Sequence, residues 1–400
     1  MSAIILDGEL KSALACVRSL GKKGISLSVG APRSTAMSIH SKYTTVSFLY
    51  PSPYVDQKGF VAAVKEEAMR LGDKPVIFAL SDSTYLSLYA FREELSIHAA
   101  LVFPTDDSVE IAFDKASTNS LAQVSGIPTI STHTPLRREE VIEVGERLHY
   151  PAVLKPRRSV SWREGKGVFG SVSFIQSKEE LIQKFFLLRD MSGEAPLIQD
   201  LMLGEEYGVE MLVREGVPYA LVSHQRLRSL SPTGGASVLK KTLGAGTLKE
   251  ILEAQAVLLA SKLSWSGPLM VEFKVDHDSQ KPYLMEINGR FWGSLPLSIA
   301  SGVDMPSLYY DAVTQNIVPR EIVRGRGEMI TSHFLGEVLH LARVLFARDP
   351  MRALLYPSRF QAIENFLFLP PGTKDDVWSL RDLKPGIMEI VDSIKKRIWK

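Results

Sequence analysis

The chain has 400 residues, 45% hydrophobic and 23% charged, a balance that excludes a disordered polypeptide and leaves room for two or three packed domains. A net charge of +2 offers no global attraction to nucleic acid, and the single cysteine, Cys16, excludes an internal disulfide and fits a reducing compartment. The opening MSAIILDGE turns acidic too soon for a signal peptide, and no run of about 18 apolar residues is present to span a bilayer. The expectation is a cytoplasmic α/β protein with no nucleic-acid partner and no stable membrane insertion.

In chain order, AIIL predicts a short strand, Asp7-Gly8 a turn, ELKSALACVRSLGKKG a helix ending at glycine, and ISLSVGAP a second strand. PVIFALSD and AALVFPT read as further strands with a helix between them. This alternation predicts a small parallel sheet covered by helices over residues 1–112. GxGxxG is absent, which weakens a dehydrogenase reading and leaves a structural or substrate-side domain.

From residue 113 the texture changes. FDKASTNSLAQVSGIP predicts a capped helix ending at Gly126, PAVLKPRRS a strand carrying Lys155, and RRSVSWREGKGVFGS a polar, glycine-containing loop. VSFIQ resumes strand, and SKEELIQKFFLLRD is an amphipathic helix opening on a capping serine. Strands follow in APLIQDLMLGEEYGVEMLV and YALVSHQRLRSL, then a helix near 247–263 and the stretch LMVEFKVDHDSQKPYLMEINGR. Residues 113–330 read as one mixed α+β unit. From 331 onward GEVLHLARVLFARDP predicts a helix, FLFLPPG a break, and SIKKRIWK a basic end. That end is either a membrane-surface contact or, as we expect, part of a helical extension packed on the body.

The stretch at 269–290 carries the most chemistry. Two apolar runs flank a turn-rich centre, and a turn centred near Ser279 places Glu272 opposite Glu286 on an antiparallel pair. Alternation puts Glu286 and Asn288 on that same face. Opposed like charges destabilise a sheet, and a dication would turn the repulsion into shared attraction, because Mg²⁺ prefers hard oxygen donors. The alternative is that one glutamate pairs with Arg290 or Lys274 while the other faces solvent. Arg290, two residues beyond Asn288, suits a transferring phosphoryl group.

Lys155 ends an apolar strand, where it either snorkels or meets an anion such as a nucleotide phosphate. The basic segment 157–170 after it could close over phosphates through backbone N–H groups, although it lacks GxxxxGK[ST] and is no P-loop. His224, Arg226 and Arg228 alternate onto one face of a strand leading to Gly234-Gly235, where they either hold a carboxylate substrate or are solvated.

Together these motifs resemble the ATP-grasp enzymes over residues 1–330. The similarity lies in Asp114-Lys115 opening a helix, in PAVLKP with its lysine, in IQDLMLGEEYGVEMLV, and in VEF followed by MEINGR. SHQRLRSLSPTGGAS and GRFWGSLPLSIASGVDMP look closest to the carbamoyl-phosphate-synthase-like carboxylate–amine ligases.

The resemblance implies an N-terminal Rossmann-like pre-ATP-grasp domain (1–112), an ATP-grasp domain (113–330, with a lid at about 150–202) and a mainly helical C-terminal extension (331–400). It also implies that Lys115 and Lys155 meet phosphate and that Gln199, Asp200, Leu201 and Met202 form an adenine hinge. Glu206 would take the ribose hydroxyls; Glu272, Glu286 and Asn288 would hold Mg²⁺ (or Mn²⁺), and Arg290 with Lys155 would act on the transferring group. Gln199 departs from the glutamate of many relatives, and the lid carries Trp162 and fewer glycines.

The implied activity is an ATP-dependent, ADP-forming ligation of a carboxylate to an amine through an acyl phosphate, by a family in which homodimers are frequent. The competing readings are an acyl-phosphate-forming synthase using ammonia or bicarbonate, and a nucleotide-binding regulatory protein without turnover.

Overall fold

In the computed structural model, which describes residues 1–163, 166–346 and 348–398, the N-terminal sheet has four parallel strands. Their order is Val46–Leu49, Leu27–Ala31, Ala3–Ile5, Val76–Phe78. The inner strands are continuously apolar because both faces are covered. Ala3 and Ile5 pack with Ala13, Cys16 and Leu20 of the helix Lys11–Lys22, while Ile4 turns the other way toward Phe60 and Val64 of the helix Gln57–Leu71.

AALVFPT does not become the expected strand. Ala100 makes a single bridge to Val76, after which the chain leaves the sheet and carries Leu101 and Phe103 into the helix-side core. The strand Val46–Leu49 and the helix Gln57–Leu71 were not anticipated; the strand is a largely exposed edge whose side chains carry little alternation.

A second sheet of four antiparallel strands has the order Thr132–His133, Leu197–Asp200, Ala152–Lys155, Ser173–Ile175. The helices Arg138–Arg147 and Lys178–Ser192 cover it through Val141, Leu181 and Phe185, which pack on Leu154 and Ile198. Ser177 caps the second helix by accepting from the Glu180 N–H.

The segment expected as a loop is a hairpin, Val160–Arg163 with Lys166–Phe169; Glu164 and Gly165, which fall within that expectation, lie outside the described residues. It docks on the N-terminal domain: the Trp162 indole donates to the Pro53 carbonyl (3.0 Å) and the Gly167 N–H to the Tyr54 carbonyl (2.7 Å).

The large sheet has eight strands. Its main path runs Pro282–Asn288, Gly267–Asp276, Gly204–Arg214, Val217–Ser231, Gly234–Thr242, Ile330–Ser332, Lys374–Asp375, and Val323–Arg324 lies beside Val217–Ser231. Val209, Met211, Val271 and Phe273 pack on Leu252, Ala256 and Leu259 of the helix Thr247–Lys262. Leu201–Leu203 joins the small sheet to the large one.

The tail is mainly helical, yet Lys374–Asp375 extends the large sheet in parallel with Ile330–Ser332. Its carboxylates staple it to the N-terminal domain: Asp376 to Lys11 (2.7 Å), Asp382 to Arg18 (2.9 Å) and Asp392 to Arg33 (3.0 Å). Trp399 and Lys400 of the basic end lie outside the described residues. No helix among the described residues is long and apolar enough to cross a membrane.

Candidate active site

The hairpin Gly267–Asp276 and Pro282–Asn288 has the expected register, with Glu272 directly opposite Glu286. The Asn288 amide donates to Glu272 (3.2 Å) and Glu286 (3.4 Å), so the three polar groups share one surface. Burial raises the Glu272 carboxyl well above the ordinary carboxylate range, and Glu286 and Glu206 add to the rise while Arg226 opposes it.

The counter-charge comes from Arg226, which donates to Glu206 (2.9 Å) and Glu272 (3.1 Å). Arg290 is instead committed to Asp82 (2.5 Å), at the start of the helix Asp82–Ala90, and to the Asn288 side-chain oxygen (3.1 Å). Gly289 lets the backbone pass Trp265, since a Cβ there would overlap the indole.

Asp114 caps the helix Lys115–Val124 and accepts from Arg157, which places Lys115 at the first turn. Its ammonium lies 3.8 Å from Glu286 and donates to Ser159 (3.1 Å). Lys155 ends the strand Ala152–Lys155, and burial lowers its pKa to about 8; Glu286 and Glu206 push the other way. Burial likewise lowers Lys274. Among the described residues neither lysine has a carboxylate within ion-pair distance, so two half-buried ammonium groups lie beside the acidic cluster, Lys155 near Glu286 and Glu206 and Lys274 near Glu206, without a fixed anion.

Gln199 donates to Thr132 (2.7 Å), while its buried side-chain oxygen finds no donor among the described residues. Asp200, Leu201 and Met202 continue from it, half-buried, into the link between the sheets. The structure therefore brings together Lys115, Lys155, Glu206, Glu272, Glu286, Asn288 and Arg290, with Arg226 among them.

It separates the other two members of the expected trio. His224 is buried in the core over Gly208, 3.2 Å from Glu210, where burial drops it to about 3. Glu210 accepts from Ser294 and Ser298, and burial raises it to about 7. Arg228 falls beyond a register shift in the ladder and pairs with Glu337 of the helix Phe334–Phe346. For Arg228 the predicted shared face fails because an irregular pairing after Arg226 breaks the period of two, whereas His224 keeps its register with Arg226 and is lost to the site by its burial over Gly208.

Asp82 and Lys274 also belong to this surface. The Ser81 cap followed by an acid at the first helical position was the available signal for Asp82, and two-residue spacing from Glu272 the signal for Lys274.

Glu272 and Glu286 are hard-oxygen donors that fit a dication such as Mg²⁺ with its remaining positions filled by water or phosphate, and Asn288 would join them by turning its side-chain oxygen from Arg290 toward the acids in place of its NH₂. No group of three His, Cys, Asp or Glu side chains suited to a metal exists among the described residues, so this set rests on two acids and an amide.

Adjoining the cluster is a cavity of about 610 Å³ whose wall includes Arg290 and Ser159 but none of Lys155, Gln199, Glu206, Glu272 or Glu286. The N-terminal domain contributes Leu10, Lys11 and Leu80–Asp82, and the tail contributes His333, Leu339 and Glu389. Sequence reasoning missed the tail's share.

Residues 193–332 match the family model described as an ATP-grasp in the biosynthetic pathway with Ter operon. The chain is 28% identical over 211 residues to the carbamoyl phosphate synthase large chain of Pyrococcus furiosus, covering 52% of this chain and 19% of that protein. It is 23% identical over 226 residues to the biotin carboxylase of Nostoc sp., covering 52% and 47%. The chain thus spans about a fifth of the first relative and about half of the second.

Among solved structures, it is similar to the biotin carboxylase domain of the Hydrogenobacter thermophilus 2-oxoglutarate carboxylase, a complex with MgADP, ADP and bicarbonate. There the TM-score is 0.64 at 15% identity, over 82% of this chain and 73% of that one. It is also similar to the N5-carboxyaminoimidazole ribonucleotide synthetase of Thermus thermophilus, with a TM-score of 0.59 at 18% identity over 82% of each chain. These structures show the fold, and over residues 193–332 the chain is similar to the ATP-grasp family, in agreement with the motifs laid out on that fold.

Proposed function

We propose that this protein is an ATP-dependent ligase that joins a carboxylate to an amine through an acyl phosphate, with release of ADP and phosphate. The observation that carries the reading is the charge arrangement: two facing glutamates with Asn288, and near them two half-buried lysines, Lys155 and Lys274, that have no carboxylate at ion-pair distance among the described residues. A magnesium triphosphate supplies what both halves lack, positive charge for the acids and negative charge for the ammonium groups. When bound, Mg²⁺ would neutralise phosphate oxygens and favour phosphoryl transfer.

The chain's own residues position and shield. Glu272, Glu286 and Asn288 would hold the metal, and Lys155 and Lys115 would neutralise phosphate oxygens. Gln199, with its unsatisfied acceptor, faces the adenine amino group, and Asp200, Leu201 and Met202 line the base. Glu206 takes the ribose hydroxyls and exchanges its Arg226 contact to do so. Arg290, fixed by Asp82, stands between the phosphate cluster and the cavity and stabilises charge on the group in transfer. The Val160–Arg163 hairpin, docked through Trp162, keeps water from a hydrolysable acyl phosphate.

A synthase that uses bicarbonate as the acid is the second reading, favoured by the bicarbonate in the Hydrogenobacter thermophilus domain. The cavity beside Arg290 is far larger than bicarbonate requires. A coupled ADP-release screen over organic acids, bicarbonate and amines, with mass analysis of products, decides. The proposal expects ADP release that needs both an organic acid and an amine. ATP binding with no turnover by any pair would refute it.

A further inference from the structure

The last helix, Lys384–Ile398, carries its polarity in the reverse of the usual sense. Its acids face the body: Glu389 meets His333 (2.6 Å), and Asp392 meets Arg33 (3.0 Å) and Thr35 (2.6 Å). Its isoleucines face solvent. Leu383 just before the helix and Ile387, Ile390 and Ile394 along it recur at three- and four-residue steps, which is one stripe of a helix. All four are exposed, Ile387 by 51% and Ile394 by 53%, and Leu380 in the segment leading to them is 94% exposed. A helix that packs through paired carboxylates and leaves its apolar stripe bare has a second face still to be covered.

Basic side chains surround that stripe. Lys42, Arg381 and Lys384 line a hollow of about 450 Å³ together with Leu380 and Leu383. Asp382, the acid in its wall, is buried and already taken by Arg18, Ser41 and the Lys42 N–H. Lys42 lies over the Tyr43 ring (5.1 Å), and among the described residues none of the three bases has a carboxylate at ion-pair distance. Lys395 stands exposed farther along the helix, whose two acids among the described side chains are both buried.

We propose that this face seats the protein on an anionic lipid bilayer, with the leucine–isoleucine stripe in the acyl–headgroup boundary and the flanking lysines and arginine against lipid phosphates. Binding of this kind needs apolar area and positive charge on the same face, and both are present. A second copy docked about a twofold axis would set these bases against themselves, with no exposed acid on the helix to answer them. A side chain as far out as Leu380 suits a fluid interface that closes around it. The contact is peripheral, since Glu389 and Asp392 keep the helix fixed to the body. It is independent of the ligase reading.

The test is flotation of the full chain with vesicles of phosphatidylcholine alone and of phosphatidylcholine with about 30% phosphatidylglycerol. The expected result is binding to the anionic vesicles tighter by about tenfold or more, weakening as salt is raised. Ile387→Gln combined with Ile394→Gln should lower that binding by about tenfold or more. Arg381→Glu combined with Lys384→Glu should abolish the preference for anionic vesicles. Both variants should keep the wild-type thermal midpoint, because the side chains they change are exposed. No binding, equal binding to both vesicles, binding undiminished in the isoleucine variant, or a preference that survives the charge variant overturns the proposal. So does a dimer, seen by sedimentation velocity, that dissociates in the isoleucine variant, because it assigns the stripe to a second copy. Should the isoleucine variant not fold, Leu380→Gln decides by the same criterion.

Discussion

Replacing Glu286 by Gln separates a metal ligand from a structural acid, because the two roles move stability and activity in different directions. Facing carboxylates about 5 Å apart repel by roughly 3 kcal/mol at an effective dielectric of about 20. Arg226 already neutralises part of Glu272 and the Glu286 side chain is 34% exposed, so the relief is discounted to about 1 kcal/mol. Without metal the thermal midpoint of Glu286→Gln should stay level or rise by about 2–4 °C. Turnover should fall, since one charged ligand of a catalytic dication contributes several kcal/mol, and about 3–4 kcal/mol is a loss of roughly 10²–10³-fold. The assays are thermal unfolding in chelator and ADP release across a Mg²⁺ titration, where half-saturation should shift upward. A variant that keeps wild-type turnover and Mg²⁺ dependence while melting earlier would refute the reasoning and make Glu286 a structural partner of Lys115.

Lys155, at about 8, is held partly neutral by burial. An anion favours its charged form, so nucleotide binding takes up a proton and weakens as pH rises through about 8; calorimetry in buffers of different ionisation enthalpy should detect the uptake. Lys155→Arg stays charged and should flatten the decline, whereas a flat wild-type profile contradicts the assignment. Glu206→Ala should raise the apparent KM for ATP with kcat nearly unchanged, and a pure kcat loss speaks against the ribose role. Trp162→Ala removes the latch to Pro53, and the ratio of ADP released to ligated product should rise severalfold; an unchanged ratio means that the hairpin does not shield the intermediate.

What was legible in the sequence was local. Strand alternation and a turn near Ser279 place Glu272 against Glu286 without tertiary information, and Asp114 before a helical run announces both a cap and the position of Lys115. Arg228 was misread because the ladder slips after Arg226, and such a shift leaves no mark in a period-two pattern. His224 was misread because its burial depends on Gly208 across the sheet, not on its own strand neighbours. The tail's part in the cavity was out of reach: Lys11–Asp376, Arg18–Asp382 and Arg33–Asp392 join residues at opposite ends of the chain, and no local periodicity encodes which acid meets which base. Asp82 shows the same limit, since its cap position is visible but its hold on Arg290 is not.

The most direct measurement is a crystal structure with Mg²⁺ and a non-hydrolysable ATP analogue. The account predicts the metal on Glu272 and Glu286, phosphate oxygens on Lys155, adenine beside Gln199–Met202 and the terminal phosphate next to Arg290. A nucleotide bound elsewhere, with Glu272 still paired to Arg226 and both lysines without phosphate, would contradict it.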